Sequence, residues 1–349
     1  MKIAILNDTH FGVRNDSPAF MKYQNRFYDE IFFPYLKEHN IGTLVHLGDV
    51  VDRRKFINHN TAHNFKKKFW DRLDNEVIDT HVIIGNHDTY YKNTNEVNAL
   101  QNLDISKNAK IYTTATNVEF DGLPILFIPW ICDDNHDDSI YQIDNTNAVI
   151  AMGHLEIKGF EMMAGHFNEH GQDKAQFTKF EKVISGHFHK KSDDGRIFYL
   201  GCQYQMTWSD YGETKGFHIF DTETREITKI DNPLSMFEKI YYNDKETDYT
   251  TLDLSKYNNK YIKLFVTNKT DDNMYNMFLD NLFNKINVHE LNIVEDNSDM
   301  NASVRDDILE QGEDTLTYLG NYIDQVETDV NKQKLKEFAK ELYVEASEW

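Results

Sequence analysis

Five short polar motifs, each directly after an apolar run, constrain this chain more than any other feature. They are Asp8-Thr9-His10, Gly48-Asp49-Val50-Val51-Asp52, Gly85-Asn86-His87-Asp88, Gly153-His154 and Gly186-His187-Phe188-His189. The runs before them, Ile3–Leu6, Thr43–Leu47, His81–Ile84, Ala148–Met152 and Lys182–Ile184, read as strands closed by polar or glycine-containing turn signals. Ile125–Ile128 reads the same way, and helical patterns near Phe20–Glu38 and Ala62–Leu73 separate the first three strands. Val118–Phe120 with Leu123–Ile128, and Phe217–Phe220 with Arg225–Ile230, read as hairpins. Alternation followed by hairpins predicts a layered α/β domain with a mixed sheet. Ligands in open α/β folds gather beyond the carboxyl ends of strands, so the five motifs are expected to converge on one crevice.

The donors in these motifs form a coherent metal-binding set. Asp8 and His10, two apart on a turn, can face one ion, and the two oxygens of Asp49 can bridge a pair. Asn86 offers a neutral carbonyl oxygen, while His154, His187 and His189 offer imidazole nitrogens. Mixed oxygen and nitrogen donors suit Mn, Fe or Zn rather than Ca or a thiolate site. Two such ions can clamp a phosphate and activate water near neutral pH. His87 is not needed as a ligand, so it is expected to serve the leaving oxygen as proton donor or stabiliser. Asp52 is expected to hold its imidazole in the required tautomer, and Asp88 to cap the turn or support a ligand.

Composition narrows the function classes. The chain has 349 residues and a formal net charge of -21, with 40% hydrophobic residues and two cysteines, Cys132 and Cys202. That excludes a disordered chain and a cysteine-rich metal module, and suits a reducing cytosol. The N-terminus turns polar too soon for a signal-peptide core, and no apolar run reaches membrane-helix length. A soluble cytoplasmic protein is expected. Residues 301–349 hold 5 basic and 12 acidic side chains, so the acidity is partly C-terminal. The overall charge argues against non-specific nucleic-acid coating, but not against a nuclease with a local basic track.

The chain is expected to divide into residues 1–230, an α+β module at 231–296, an acidic linker at 297–314 and a helical segment at 315–349. Tyr261–Val266, Asp272–Ile286 and Leu291–Val294 read as strand, helix and strand. In the last segment Leu316, Leu319, Ile323 and Val326 share one helical face, and Leu335, Phe338, Ala339, Leu342, Tyr343 and Ala346 another. Behind an acidic linker, these faces are read as partner-binding.

Taken together, residues 1–220 resemble the calcineurin-like metallophosphoesterase superfamily, and within it the SbcD-type nuclease subunits of double-strand-break repair, nearest in their T-even bacteriophage version. The resemblance rests on Gly48-Asp49-Val50-Val51-Asp52-Arg53-Arg54-Lys55, on Gly85-Asn86-His87-Asp88 followed by Tyr90-Tyr91-Lys92-Asn93, and on Phe127-Ile128-Pro129-Trp130. It continues through Ser185-Gly186-His187-Phe188-His189, Phe220-Asp221-Thr222-Glu223-Thr224 and Leu342-Tyr343-Val344-Glu345-Ala346. It thus spans nearly the whole chain, the middle module matching only in layout.

The resemblance implies a layered sandwich of mixed β-sheets flanked by helices, with a small, DNA-facing α+β capping domain and C-terminal helices. It places Asp8, His10, Asp49 and His189 on one Mn ion, and Asn86, His154, His187 and the shared Asp49 on a second, with His87 catalytic. It implies 3′-to-5′ exonuclease activity on duplex DNA, endonuclease activity on single strands, a homodimer, and an SbcC-type coiled-coil ATPase gripping the C-terminal helices. One departure stands out. Cellular nucleases of this class often carry His where Asp52 stands, which puts the positioning of the scissile phosphate in question.

Arg53, Arg54 and Lys55 are expected at the crevice rim as phosphate contacts, and Lys66–Lys68 either extend that track or form a solvated face. No glycine-rich phosphate loop is present, so any ATP-driven step needs another polypeptide. Two other readings fit parts of the sequence. A phosphatase of phosphoproteins or small esters would use Arg53 as its clamp, but leaves the C-terminal helices without a purpose. A non-catalytic scaffold tethering an ATPase to DNA has no need of seven metal-binding side chains.

Overall fold

The computed structural model describes residues 1–103, 106–163, 166–295, 323 and 331–347. The chain separates into two compact units, Met1–Met206 with Gly212–Met236, and Thr207–Tyr211 with the chain from Phe237 onward.

Two six-stranded sheets make the first unit. One contains β1 (Lys2–Leu6), β2 (Thr43–His46), β3 (Asp79–Ile83), β4 (Lys110–Tyr112), β13 (Gly216–Asp221) and β14 (Ile227–Asp231). Its order is β14-β13-β1-β2-β3-β4, with β1 to β4 parallel and the last two strands antiparallel at one edge. The other contains β5 (Thr116–Phe120), β6 (Leu123–Ile128), β7 (Ile150–Gly153), β10 (Lys182–Ser185), β11 (Ser192–Asp193) and β12 (Ile197–Tyr199). Its order is β11-β12-β10-β7-β6-β5. Ile3, Ile5, Val45 and Ile83 of the first sheet meet Ile125, Phe127, Met152 and Ile184 of the second in one buried cluster. Alternate residues along each strand thus fill the space between two stacked sheets.

The outer faces are apolar too. On the second sheet Leu126, Ala151 and Val183 pack with Ile143 of the helix His136–Asn145. Outside the first sheet, Phe217 of β13 meets Phe32 and Tyr35, with ring centroids 5.1 and 5.4 Å away. Those two residues lie on the helical run from Pro18 to Glu38, which widens to a π turn at Tyr28–Phe32 just before Pro34. Proline has no N–H to continue the ladder, which accounts for the local widening. The second expected helix, near Ala62–Leu73, runs from His59 to Asn75 with a similar π turn at Lys66–Trp70.

A short antiparallel hairpin pairs β8 (Glu161–Met163) with β9 (His166–Phe167). Both expected hairpins are present and antiparallel, Val118–Phe120 with Leu123–Ile128 extending back to Thr116, and Phe217–Phe220 with Arg225–Ile230 observed as Gly216–Asp221 with Ile227–Asp231.

The second unit is a three-stranded parallel sheet, β15 (Phe237–Asn243), β16 (Tyr261–Asn268) and β17 (Glu290–Val294). The helix Asp272–Asn284, capped by the Asp271 carboxylate, lays Tyr275, Phe278 and Leu282 on Ile240, Ile262 and Leu264. A helix also spans Lys332–Ser347. No described helix is long and apolar enough to cross a membrane.

Candidate metal centre

All five motifs leave the carboxyl ends of strands, but from two sheets. β1, β2 and β3 deliver Asp8 with His10, Asp49 and Asn86, while β7 and β10 deliver His154 and His187 with His189. The expected single crevice is therefore built at the shared edge of a sandwich. Face-to-face packing of the two sheets brings residues some 180 positions apart within hydrogen-bond range: His10 Nε2 lies 3.0 Å from His189 Nε2.

The backbone is bent to achieve this. Asp8, His10, Asp49 and His187 all have positive φ, between 42° and 84°. Such conformations cost non-glycine residues free energy, and gather where surrounding structure imposes them at functional sites. The glycines before the donors have a steric reason. A Cβ on Gly48 would stand 2.7 Å from His154 Nδ1, and one on Gly85 2.2 Å from Asp49 Oδ1.

Two clusters result. Asp8, His10 and His189 place one donor atom each within 4.8 Å of one another, as do Asp49, His154 and His187. His189 is half-buried, and the other five are buried. Asp49 faces both clusters, its Oδ2 lying 3.2 Å from His154 Nε2 and 3.8 Å from His10 Nε2. Asn86 Oδ1 adds itself to the second cluster, 2.8 Å from His154 Nε2 and 3.2 Å from His187 Nδ1. Trp130 roofs this cluster, its ring centroid 5.2 Å from that of His187.

The electrostatics follow from burial and charge. Burial alone would lower His154 and His10, but carboxylates overcome it. Asp49 and Asp8 lift His154 to about 10, and Asp52, Asp49 and Asp8 lift His10 to about 9. Burial works against ionised Asp49, yet the imidazoles of His154, His87 and His10 hold it well below the usual carboxylate range. Burial raises Asp8 to about 6, and pushes His189 well below the ordinary imidazole value, with His10 adding to the effect.

Supporting residues complete the frame. Asp88 is fully buried and accepts from the N–H groups of Asp49, Val50, Val51 and Gly85 at 2.8 to 3.2 Å, pinning the second and third motif loops together. Asp8 accepts from the His187 N–H at 3.1 Å, joining β1 to β10. Lys215 donates to the His189 carbonyl at 3.0 Å. Neither Trp130 nor Lys215 was assigned a role from sequence. Trp130 stood in an informative segment, whereas nothing local marks Lys215.

Asp52 differs from its expected part. Its backbone carbonyl, 2.5 Å from His87 Nδ1, makes the contact that orients that ring. Its carboxylate instead stands 3.4 Å from His10 Nδ1. Arg53 is ion-paired with Asp16 and hydrogen-bonded to Asn15 at 3.0 Å. Asp16 and Asn15 belong to a turn in which Arg14, Asn15 and Asp16 all have left-handed backbone. Arg54 is half-buried and its Nη1 reaches no hydrogen-bond partner, while Lys55 is exposed.

At the other end of the chain, Ile323 is buried, Leu335 half-buried, and Phe338 and Leu342 are exposed. Tyr343 lies on the same helix as the last three. Leu316, Leu319, Val326 and the linker at 297–314 fall outside the described residues.

The calcineurin-like phosphoesterase family profile matches residues 1–191. Exonuclease subunit 1 of Enterobacteria phage T4 is 32% identical over 354 residues, covering 100% of both chains. Among solved structures, an archaeal phosphodiesterase covers 66% of this chain and 100% of its own at 16% identity, with a TM-score of 0.32. A protein of unknown function from Aquifex aeolicus covers 53% of this chain and 88% of its own at 17% identity, with a TM-score of 0.31.

Proposed function

This chain belongs to the calcineurin-like phosphoesterase family and is a metal-dependent phosphodiesterase; from that premise we propose that it is the nuclease subunit of a DNA recombination and repair complex. The carrying observation is the pair of donor clusters that meet at Asp49.

The donor chemistry fits a pair of cations. The His154 Nδ1–H donates to the Leu47 carbonyl at 2.7 Å, so a neutral ring turns its Nε2 lone pair toward Asp49 Oδ2 and Asn86 Oδ1. Lone pairs of three buried atoms then face one another. Such an arrangement requires a proton or a metal ion among them. Asp49 Oδ2, buried without a hydrogen-bond donor at good geometry, makes the same demand. Asp8, His10, Asp49 and His189 would hold one ion, and Asn86, His154, His187 and the shared Asp49 the other, with manganese the best match to the mixed donors. When bound, these ions supply Lewis acidity toward the phosphate and acidify water near neutral pH.

His87 supplies what the donors do not. With Nδ1–H directed at the Asp52 carbonyl, Nε2 is the nitrogen that can carry a proton to the departing oxygen. His87 is half-buried, between buried Asn86 and buried Asp88.

The phage relative, named an exonuclease subunit, supports DNA as substrate and a multi-subunit assembly. We place the protein in the cytoplasm of the host cell, as a homodimer with 3′-to-5′ exonuclease and single-strand endonuclease activity. An SbcC-type ATPase would grip the C-terminal helix, where exposed Phe338 and Leu342 offer apolar side chains four residues apart. With Mn, end-labelled duplex DNA should be degraded far faster than p-nitrophenyl phosphate is hydrolysed. The reverse preference would favour a small-ester phosphatase. Deleting residues 312–349 should abolish ATPase association in a pull-down while basal nuclease activity survives.

A further inference from the structure

Two loops beside His87 expose aromatic rings that neither the core nor the metal clusters use. Phe56 follows Asp52 by four residues and is 62% exposed, while Tyr90 and Tyr91 follow His87 by three and four and are 41% and 51% exposed. Asp52 and His87 touch one another. Four residues of chain span at most about 14 Å, so the three rings start within that distance of the contact.

The rings sit on well-anchored supports. The loop bearing Tyr90 and Tyr91 is closed by a bridge between Thr89 and Asn98 and by the Tyr90 N–H to the Val97 carbonyl at 2.8 Å. Buried Asn95 ties it to the Trp130 and Thr113 carbonyls, and buried Asn98 to the Asn95 carbonyl. Phe56 lies beneath the Arg53 guanidinium, 4.4 Å from its ring centroid, and Arg53 is itself fixed by Asp16. Exposed on anchored loops, these rings bury little of their apolar area in folding. Cations interleave with them, namely Arg54 and Lys55 before Phe56 and Lys92 after Tyr91. Two residues beyond Lys92, Thr94 donates to the Asp134 carboxylate at 2.9 Å, which anchors the far flank of the second loop.

Resting on the nuclease reading above, we infer that Phe56, Tyr90 and Tyr91 form a stacking platform for unpaired bases of a DNA strand entering the centre. Stacking on aromatics between backbone-binding cations recognises single strands without regard to sequence. A base-paired end offers such rings only its terminal pair, so the platform favours frayed or unpaired substrate. A second copy of this chain is the competing occupant, but a dimer face gains little from three cations around its rings.

The test uses the full chain with Mn and oligo(dT) carrying 2-aminopurine, in a His87→Ala background that suppresses cleavage. The Tyr90→Ala/Tyr91→Ala variant should bind about tenfold more weakly and lose 2-aminopurine quenching. Phe at both positions should keep the affinity, and blunt duplex binding should change far less. Unchanged single-strand binding, or equal loss on single strand and duplex, overturns the platform. So does loss of binding together with a monomer shift in sedimentation, which would mark a dimer face. Hydrolysis of bis(p-nitrophenyl) phosphate by the wild type tests the phosphodiesterase chemistry separately, so either reading can fail alone.

Discussion

The two donor clusters are built from similar residues but held differently. The cluster of Asp49, His154 and His187 is wholly buried, roofed by Trp130 and fixed by the Leu47 carbonyl behind His154. The cluster of Asp8, His10 and His189 is more open, and its His10 is steadied by the Asp52 carboxylate. The inner cluster is therefore rigid before any ion arrives. The outer cluster depends more on charge and can be tuned from its rim.

The largest effect should come from removing what the clusters share. Asp49→Asn should lower hydrolysis by roughly 10³-fold or more and weaken both ions, as metal titration calorimetry would show. Loss of only one ion would break the shared role. His154→Ala should next cost the metal-free protein about 2–4 kcal/mol in denaturant unfolding, since it opens a cavity and strands a buried carbonyl. His189→Ala should cost clearly less, because that ring is only half-buried. Equal costs would contradict the difference in rigidity.

Asp52→Asn should weaken the outer ion by about 10–100-fold, with activity recovering at excess Mn, while His87 keeps its main-chain partner. Loss that excess Mn does not restore would return Asp52 to His87. A smaller effect concerns pH. His10 and His154 sit above their unfolded value near 6.5, so their protonation stabilises the metal-free fold fully below that pH, and this is lost as pH rises through about 9 and 10. Raised Asp8 acts in the same sense, its contribution present below about 3.8 and lost through about 6. The metal-free Tm should therefore fall by a few degrees from neutral to alkaline pH, whereas the Mn-loaded Tm should not. Parallel curves would argue that the ions do not replace those protons.

The contrast also explains what was legible in the sequence. Strands and donors are legible because every motif follows an apolar run and four of the five open on a glycine, both local signals. That the strands divide between two sheets is a matter of long-range pairing, invisible to periodicity. Glu238 and Lys239 interrupt the apolar pattern of Phe237–Asn243, so periodicity does not mark that strand. The directions of the Asp52 and Arg53 side chains are not legible, because residue type does not show direction. Asp52 uses its main chain toward one histidine and its carboxylate toward another, and Arg53 is drawn to a left-handed turn 37 positions away.

The most direct measurement is an anomalous difference map from crystals grown with manganese. Two peaks on either side of Asp49 are predicted, one bounded by Asp8, His10 and His189 and the other by Asn86, His154 and His187. A map with no peak beside Asp49, or with manganese bound only elsewhere on the chain, would contradict it.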